Sequence, residues 1–335
     1  MVALENMLLA LVGGICVDLL LGDPRNKFHP VAWLGQLIEC FIPKLKQNGS
    51  NSVNSIYVNK ERKERSRAII FSVLLIVVFG VIVHICAIAI MHIAGSIAFI
   101  VFCALILKIT IAIKGMEKHA IAIMCALEDR DLINARFSLS MIVKRDTRNL
   151  DEQHVISGTI ESIAESIVDG ITSPLFYYSI LGPAGAFSYR IINTLDSMLG
   201  YTDTYHKNIG WMPAVLDTAA NYFPARITAI IMVIAARIVH ADWKKSIQIL
   251  RRDHGKTSSC NAGYPMAAMA GALRIRLEKI GYYSLGDQCE APSIEKCKAA
   301  LSVMKCTAVV FCVIFSAPLI TMLYAAGWWK IIFGI

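Results

Sequence analysis

Charge is what this chain has least of. Of its 335 residues, 17% are Asp, Glu, Lys or Arg and 56% are hydrophobic, and the mean hydropathy is +0.56. A soluble globular domain carries about 25% charged residues, so an ordinary water-soluble fold is excluded. Paired cysteine spacing is missing as well. The ten cysteines are scattered from Cys16 to Cys312 without a C-x-x-C, most of them inside apolar runs where Cys behaves as a small hydrophobe, so neither a disulfide framework nor a zinc site is indicated. The net charge of +8 resides in particular loops and lacks a basic–aromatic groove pattern, which argues against nucleic acid and for membrane orientation and anionic ligands. The first apolar stretch has no basic n-region and no small-residue cleavage site, so it reads as a retained membrane helix rather than a signal peptide. Finally, Gly255-Lys256-Thr257 is no P-loop, because Leu250 stands where the first glycine is needed and no strand signal precedes it.

What the chain does have is long apolar runs. Residues 5–21, 68–90, 95–113 and 306–326 read as spans, and 174–192 and 224–241 as broken or partial apolar segments. The expectation is an all-α polytopic membrane protein, one domain over 1–335, with about four or five membrane-embedded helical segments plus buried or re-entrant ones. Asp18, near the end of the first span, is costly in lipid and should face protein or the interface. Lys60, Arg62, Lys63, Arg65 and Arg67 directly precede the long run from 68, the positive-inside pattern, so that loop is expected to be cytoplasmic. Lys114 onward and the group Lys244, Lys245, Arg251 and Arg252 fall on the same side, with a short outer turn near 91–96. Trp328, Trp329 and Lys330 would anchor the last span at an interface.

The chemistry centres on residues 138–200. Ile160, Ile163, Ala164, Ile167, Val168 and Ile171 form one apolar helical stripe, and Glu161, Glu165 and Asp169 step by four along a neighbouring face. No Lys or Arg between Asn149 and Tyr189 neutralises them. A cation, a distant Arg or plain water must offset the repulsion. Just upstream, Arg145, Asp146, Thr147 and Arg148 combine guanidinium groups suited to phosphate or carboxylate with residues able to cap a helix or place a metal-bound water. Downstream lie Arg190, Asn193, Asp196 and Tyr201, polar groups beside an apolar element, and then Arg226. Two loops add candidates: Gly22-Asp23-Pro24 with His29-Pro30, and Asp253-His254 followed by Asn261-Ala-Gly263-Tyr-Pro265, whose backbone N–H groups could approach an anion.

Taken in order, Gly22-Asp23-Pro24 with His29-Pro30, the segments 140–147, 161–174 and 193–201, Pro224 to Arg226, and 261–273 resemble the CbiB/CobD family of cobalamin biosynthesis. The resemblance runs through nearly the whole chain. It implies an ATP- and Mg²⁺-dependent ligase, adenosylcobinamide-phosphate synthase, joining adenosylcobyric acid to aminopropanol phosphate, or to a close relative such as ethanolamine or aminopropanol, through an amide bond. It implies a multi-pass protein of the cell membrane with its active site facing the cytoplasm. A homo-oligomer or other cobalamin-pathway enzymes would be further partners. For that reaction Glu161, Glu165 and Asp169 are expected to serve Mg²⁺, with Asp196 nearby. Arg145, Arg148 and Arg190 would hold phosphate or carboxylate, and Asp23, Thr147, Asn193, Tyr201, Arg226 and Asn261 would help bind substrate. His29, Asp146, Glu165, Asp196 and His254 are the candidate catalytic groups, with His29 or His254 taking a proton from the attacking amine. The chain departs from the family's usual pattern at Ser166, Thr218, Cys260 and Met266. Two other classes stand beside this reading. An ion-coupled transporter would show an internal repeat, which the sequence lacks; an inactive scaffold for corrinoid enzymes would show no ATP consumption.

Overall fold

Long apolar runs dictate the architecture, because in hydrocarbon every backbone polar group must be paired inside the chain, and helices do this within one segment. The computed structural model describes residues 4–22, 30–46, 55–201 and 205–334, with the side chains of 55–60 left aside. In chain order the helices are α1 (Leu4–Leu21), α2 (Pro30–Leu45), α3 (Ser55–Thr110), α4 (Ile113–Glu128), α5 (Leu132–Ser140), α6 (Glu152–Ile167) and α7 (Ser173–Leu199). They continue with α8 (Trp211–Ala220), α9 (Tyr222–Ile238), α10 (Trp243–Asp253), α11 (Gly263–Leu273), α12 (Ile294–Phe311), α13 (Ala317–Ala325) and α14 (Trp328–Phe333). Among the described residues Leu4–Leu21, Glu61–Glu128 and Ile294–Ala325 are long and apolar enough to cross a membrane, and α8 with α9, bent by 44°, makes a fourth if the pair counts as one. The protein is an all-α, polytopic membrane protein.

A 56-residue helix such as α3 would stretch about 84 Å at 1.5 Å per residue, far more than a bilayer core of about 30 Å. Gly95 resolves this: its φ of 78° and ψ of −174° break the helix inside the uncharged turn that the sequence marks. Only glycine enters that region without strain. Ile93 and Ile97 beside the break are 87% and 79% exposed, and Ile70, Leu74, Val77, Val81 and Ile85 continue an open aliphatic face along α3. Such a contiguous apolar surface is what lipid tails cover.

The end of α3 is set by α1. Asp18 is fully buried, and its Oδ2 accepts from the backbone N–H of Ile113 (3.0 Å) and Lys114 (3.1 Å), capping α4 from a distant helix. Lys108 Nζ lies 3.7 Å from Oδ1, so the intramembrane acid faces protein. Between the two helices, Ala112 N–H donates to Gly170 O (2.9 Å), tying the break to the turn that follows α6.

That turn, Val168–Thr172, is a π-helical one joining α6 to α7. Thr172 Oγ1 donates to Ile167 O (3.0 Å) and shares a 2.6 Å contact with Thr228 Oγ1 on α9. α7 bends in turn at Gly182 (φ 66°, ψ −154°), directly before Pro183, so the 174–192 segment is a broken helix. Asp151 caps the start of α6 by accepting from His154 N–H (2.9 Å).

A two-stranded antiparallel hairpin interrupts the all-helical pattern, β1 (Leu277–Lys279) with β2 (Tyr283–Leu285), Lys279 opposite Tyr283. Nothing in the sequence reading anticipates it, since three-residue strands are too short to show alternation. Contacts to helices hold it. Glu278 N–H donates to Ser157 Oγ of α6 (2.9 Å), and Gly286 N–H donates to the buried carboxylate of Asp253 (2.8 Å). Arg252 (2.7 Å) and Lys256 (2.6 Å) pair with that same carboxylate. The hairpin thereby closes over the middle of α6.

Candidate active site

Helix geometry brings the acidic stripe to a cavity. The buried stripe Ile160, Ile163, Ala164 and Ile167 sets α6 against the core, which turns Glu161, Glu165 and, past the π turn, Asp169 toward one polar space of about 410 Å³. α7 contributes Asn193 and Asp196, α8 contributes Asp217 and Thr218, and the loop before α11 contributes Ser259 and Asn261. Lys144 and Arg145 enter from the segment after α5, and Lys279 and Tyr283 from the hairpin. The lining carries both signs, Glu165, Asp169, Asp196 and Asp217 together with Lys144, Arg145 and Lys279.

Glu161 belongs to the basic end. Its carboxylate accepts from Ser157 Oγ (2.9 Å), Tyr283 OH (2.8 Å) and Arg145 Nη1 (3.4 Å), and burial pushes its pKa upward against the pull of Arg145. Arg145 Nε and Nη2 are buried with no acceptor. A side chain at Gly158 would strike this guanidinium and Leu139, so glycine at that position is what admits Arg145 to the wall.

Glu165 opens onto the cavity, yet protein surrounds it closely on the remaining sides. Burial, with the neighbouring Glu161 charge adding to it, raises its carboxyl to about 7. Asp169 is pushed well above the ordinary carboxylate range by burial and then by Asp217, Glu165 and Asp196, with Arg190 pulling the other way. Burial also raises Asp196, while Lys144 Nζ, 3.9 Å away, opposes it. Asp217 Oδ2 accepts from Asn221 Nδ2 (3.1 Å), but its Oδ1 is buried without a partner. Four carboxylates thus crowd together short of positive charge.

Those carboxylates are not a ready-made metal site. Among the described residues no group of three Asp, Glu, His or Cys side chains converges to hold an ion alone. The expected trio of Glu161, Glu165 and Asp169 is divided because Glu161 turns to Arg145, Ser157 and Tyr283. The donor set still fits a cation of the Mg²⁺ kind, which takes one or two protein carboxylates and fills its shell with water and phosphate oxygens. The unpartnered Asp217 Oδ1, beside Glu165 and Asp169, is the feature that supports the fit.

Of the other residues singled out from the sequence, Arg145, Asn193, Asp196 and Asn261 line the cavity. Arg190 stands behind it, its Nη1 3.5 Å from Asn193 Oδ1. Asp146 and Arg148 form a surface pair with each other (2.7 Å), away from the cavity, and the hydrogen bonds from Arg148 hold the Asp146 carboxyl down at about 2. Thr147 Oγ1 donates to Arg136 O (2.9 Å). Arg226 stacks on Tyr222 (3.5 Å) and donates to Asn261 Oδ1 (3.2 Å), while Asn261 Nδ2 donates to Thr218 O (2.8 Å), a clamp between α9 and the Asn261 loop. In that loop the N–H groups of Asn261 and Ala262 point to Ser259 Oγ, so they are already engaged. His254 lies off the cavity, its Nδ1 2.9 Å from Leu250 O and its ring 4.6 Å from that of Tyr264. Tyr201 borders a neighbouring groove. Asp23 and His29 lie outside the described residues.

Sequence reasoning missed Lys144, Lys279 and Tyr283 and gave Asp217 no role. Lys144 could have been found beside Arg145. Lys279 and Tyr283 reach the site only through the fold of a hairpin more than a hundred residues downstream.

A family model described as CobD/Cbib protein matches residues 11–313. The chain is 37% identical to the probable cobalamin biosynthesis protein CobD of Methanothermobacter thermautotrophicus over 297 residues, 89% of this chain and 93% of that one. It is 36% identical over 282 residues to the cobalamin biosynthesis protein CobD of Dehalococcoides mccartyi, covering 84% and 87%. With the Clostridium perfringens protein of the same name it shares 35% over 301 residues, 88% and 90% of the two chains. No solved structure matches the chain.

Proposed function

The chain belongs to the CobD/Cbib protein family, with a role in cobalamin biosynthesis, and from that premise we propose that it is an ATP-dependent ligase that joins adenosylcobyric acid to an amino-alcohol phosphate. The observation that carries this reading is a single cavity lined both by carboxylates, Glu165, Asp169, Asp196 and Asp217, and by cations, Lys144, Arg145 and Lys279.

Forming an amide from a carboxylate needs a better leaving group than oxide. A substrate carboxylate oxygen would attack the γ-phosphorus of ATP, ADP would leave, and the amine would then attack the acyl carbon and expel phosphate. The amine proton passes to a carboxylate or to water. Phosphoryl transfer depends mainly on position and on neutralising charge. Arg145, with two buried N–H groups lacking acceptors, is suited to the phosphate or to the substrate carboxylate. Lys144 and Lys279 add charge from two other elements. Glu165, Asp169 and Asp217 are the residues that would hold Mg²⁺, which when bound screens the phosphate charge. Asn193, Asn261 and Ser259 offer hydrogen bonds for orientation. Glu161 holds Arg145 and Tyr283 in place.

The test is a mass-resolved product. Purified protein given adenosylcobyric acid, Mg²⁺-ATP and aminopropanol phosphate or ethanolamine phosphate should yield the sum of acid and amine less one water, with ATP consumed only when both are present. Ion uptake into proteoliposomes without such a product would favour a transporter. Neither product nor uptake would favour a scaffold.

The positive-inside pattern supports a cavity that opens to the cytoplasmic side, where ATP is. In a cysteine-depleted background, Arg62→Cys, at an exposed position, should be shielded from membrane-impermeant thiol reagents in intact cells. Ser96→Cys, next to the Gly95 break, should label. Reversed labelling would place the cavity on the side away from cytosolic ATP.

A further inference from the structure

Beside the charged cavity lies a second depression of about 830 Å³, and its lining is of another kind. Tyr201, Trp211, Tyr222 and Phe223 form its aromatic wall, Val215 and Ala219 its aliphatic floor, and among the described residues Lys207 is its one charged lining residue. The four aromatic side chains stand between 41% and 65% exposed. The two spaces adjoin: Thr218 lines both, and Lys144 of the charged cavity lies over the Tyr201 ring at 5.0 Å. α8 divides them, with Asp217 facing the acids while Val215 and Ala219 face the groove. Its junction with α9 is held by Asn221, whose Oδ1 accepts from Ser173 Oγ (2.6 Å) and Tyr189 OH (2.8 Å).

We propose that this aromatic groove seats the corrin macrocycle of the substrate, so that its reacting carboxylate passes Thr218 into the charged cavity. The inference rests on the corrinoid ligase reading above. A ligand that fills both spaces must be large, must present a broad apolar face, and must carry an anionic arm. A corrinoid acid has all three, whereas a nucleotide base or a small amine is too small to fill the groove. The groove's volume is that of a ligand pocket, and aromatic walls with few polar groups suit a broad, flat ligand. Its edges are polar. Arg65 lies over Trp211 at 4.7 Å and Arg226 over Tyr222 at 3.5 Å, so guanidinium groups border the aromatic wall, as suits the amide carbonyls at the rim of a macrocycle. The lipid-facing side of α3 is different, aliphatic and without such cations or rings.

Adenosylcobyric acid is coloured, so equilibrium dialysis against detergent-purified protein reads its binding directly. Ala219→Trp fills the groove from an exposed position and should weaken that binding by ~10-fold or more. Phe223→Ala removes a largely exposed wall, leaves the core packed, and should weaken it by a similar ~10-fold. Binding of a non-hydrolysable ATP analogue with Mg²⁺ should be unchanged in both variants. If all three proteins take up the corrinoid equally, the groove is not its seat and the ligase reading stands. If Ala219→Trp instead strips a co-purifying phospholipid and leaves corrinoid affinity intact, the groove holds lipid and the inference falls. If the unaltered protein binds no corrinoid, the ligase reading itself fails and takes this inference with it.

Discussion

Replacing Glu165 by Gln should reduce turnover by at least ~100-fold, the scale of losing one electrostatic contact to a transferring phosphoryl group. Gln keeps the shape and the hydrogen-bonding capacity of the side chain, and the stripe that docks α6, Ile160, Ile163 and Ile167, is untouched. The loss therefore reports charge. A second readout separates a cation-binding acid from a solvated one. The Glu165 carboxyl sits at about 7 in the fold against 4.5 for an unperturbed Glu, so folding favours its protonated form. Stability from this group is present in full below pH 4.5 and has been lost once pH passes about 7. Without Mg²⁺, the Gln variant should melt like the unaltered protein near pH 5 and above it near pH 8. Adding Mg²⁺ at pH 8 should narrow that gap by stabilising the unaltered protein, since a cation bound only to the fold raises its stability. Near-normal turnover with an unshifted Mg²⁺ dependence would remove Glu165 from the site.

Arg145→Met should be the most destabilising single change at the cavity. It strips Glu161 of its cation while leaving the carboxylate buried, and breaking one partner of a buried pair costs about 3–5 kcal/mol. The companion Arg145→Met/Glu161→Gln removes both charges and should recover most of that stability, because Ser157 and Tyr283 can still bond the amide. Activity should not return with it. The guanidinium with its two unpartnered N–H groups is absent in both variants, so the recovered protein should need far more ATP or corrinoid acid for turnover. Thermal melting in detergent and initial rates at graded substrate would show both effects. A single variant as stable as its parent would mean that Glu161 stays neutral or finds another cation, and an active double variant would release Arg145 from substrate binding.

The lower-order features were legible in the residues themselves. Charge scarcity and four apolar runs of span length pointed to a helical membrane protein, since a helix satisfies its backbone in lipid within one segment. The turn at 91–96 could be placed because it divides an apolar run too long for one span and carries no Lys or Arg, and Gly95 there supplies a backbone conformation that other residues resist. The steps from Glu161 to Asp169 put three acids on one helix face, a consequence of a period of 3.6 that holds wherever the helix lies. Motif order along the chain was enough to point to the family.

Tertiary structure decided which of these groups meet. Asp146 and Arg148, attractive by spacing, satisfy each other at the surface, and His254 packs on Tyr264 away from the acids. Lys279 and Tyr283 arrive instead, on a hairpin too short to show strand periodicity and held by Ser157 and Asp253. Tyr283 joins Arg145 in holding Glu161 apart from the other two acids, which leaves Glu165 and Asp169 to Asp196 and Asp217. Periodicity is a property of neighbours along the chain and survives in the sequence. The sign of the field at a carboxylate is set by groups a hundred residues away, and only the packed molecule brings them within reach.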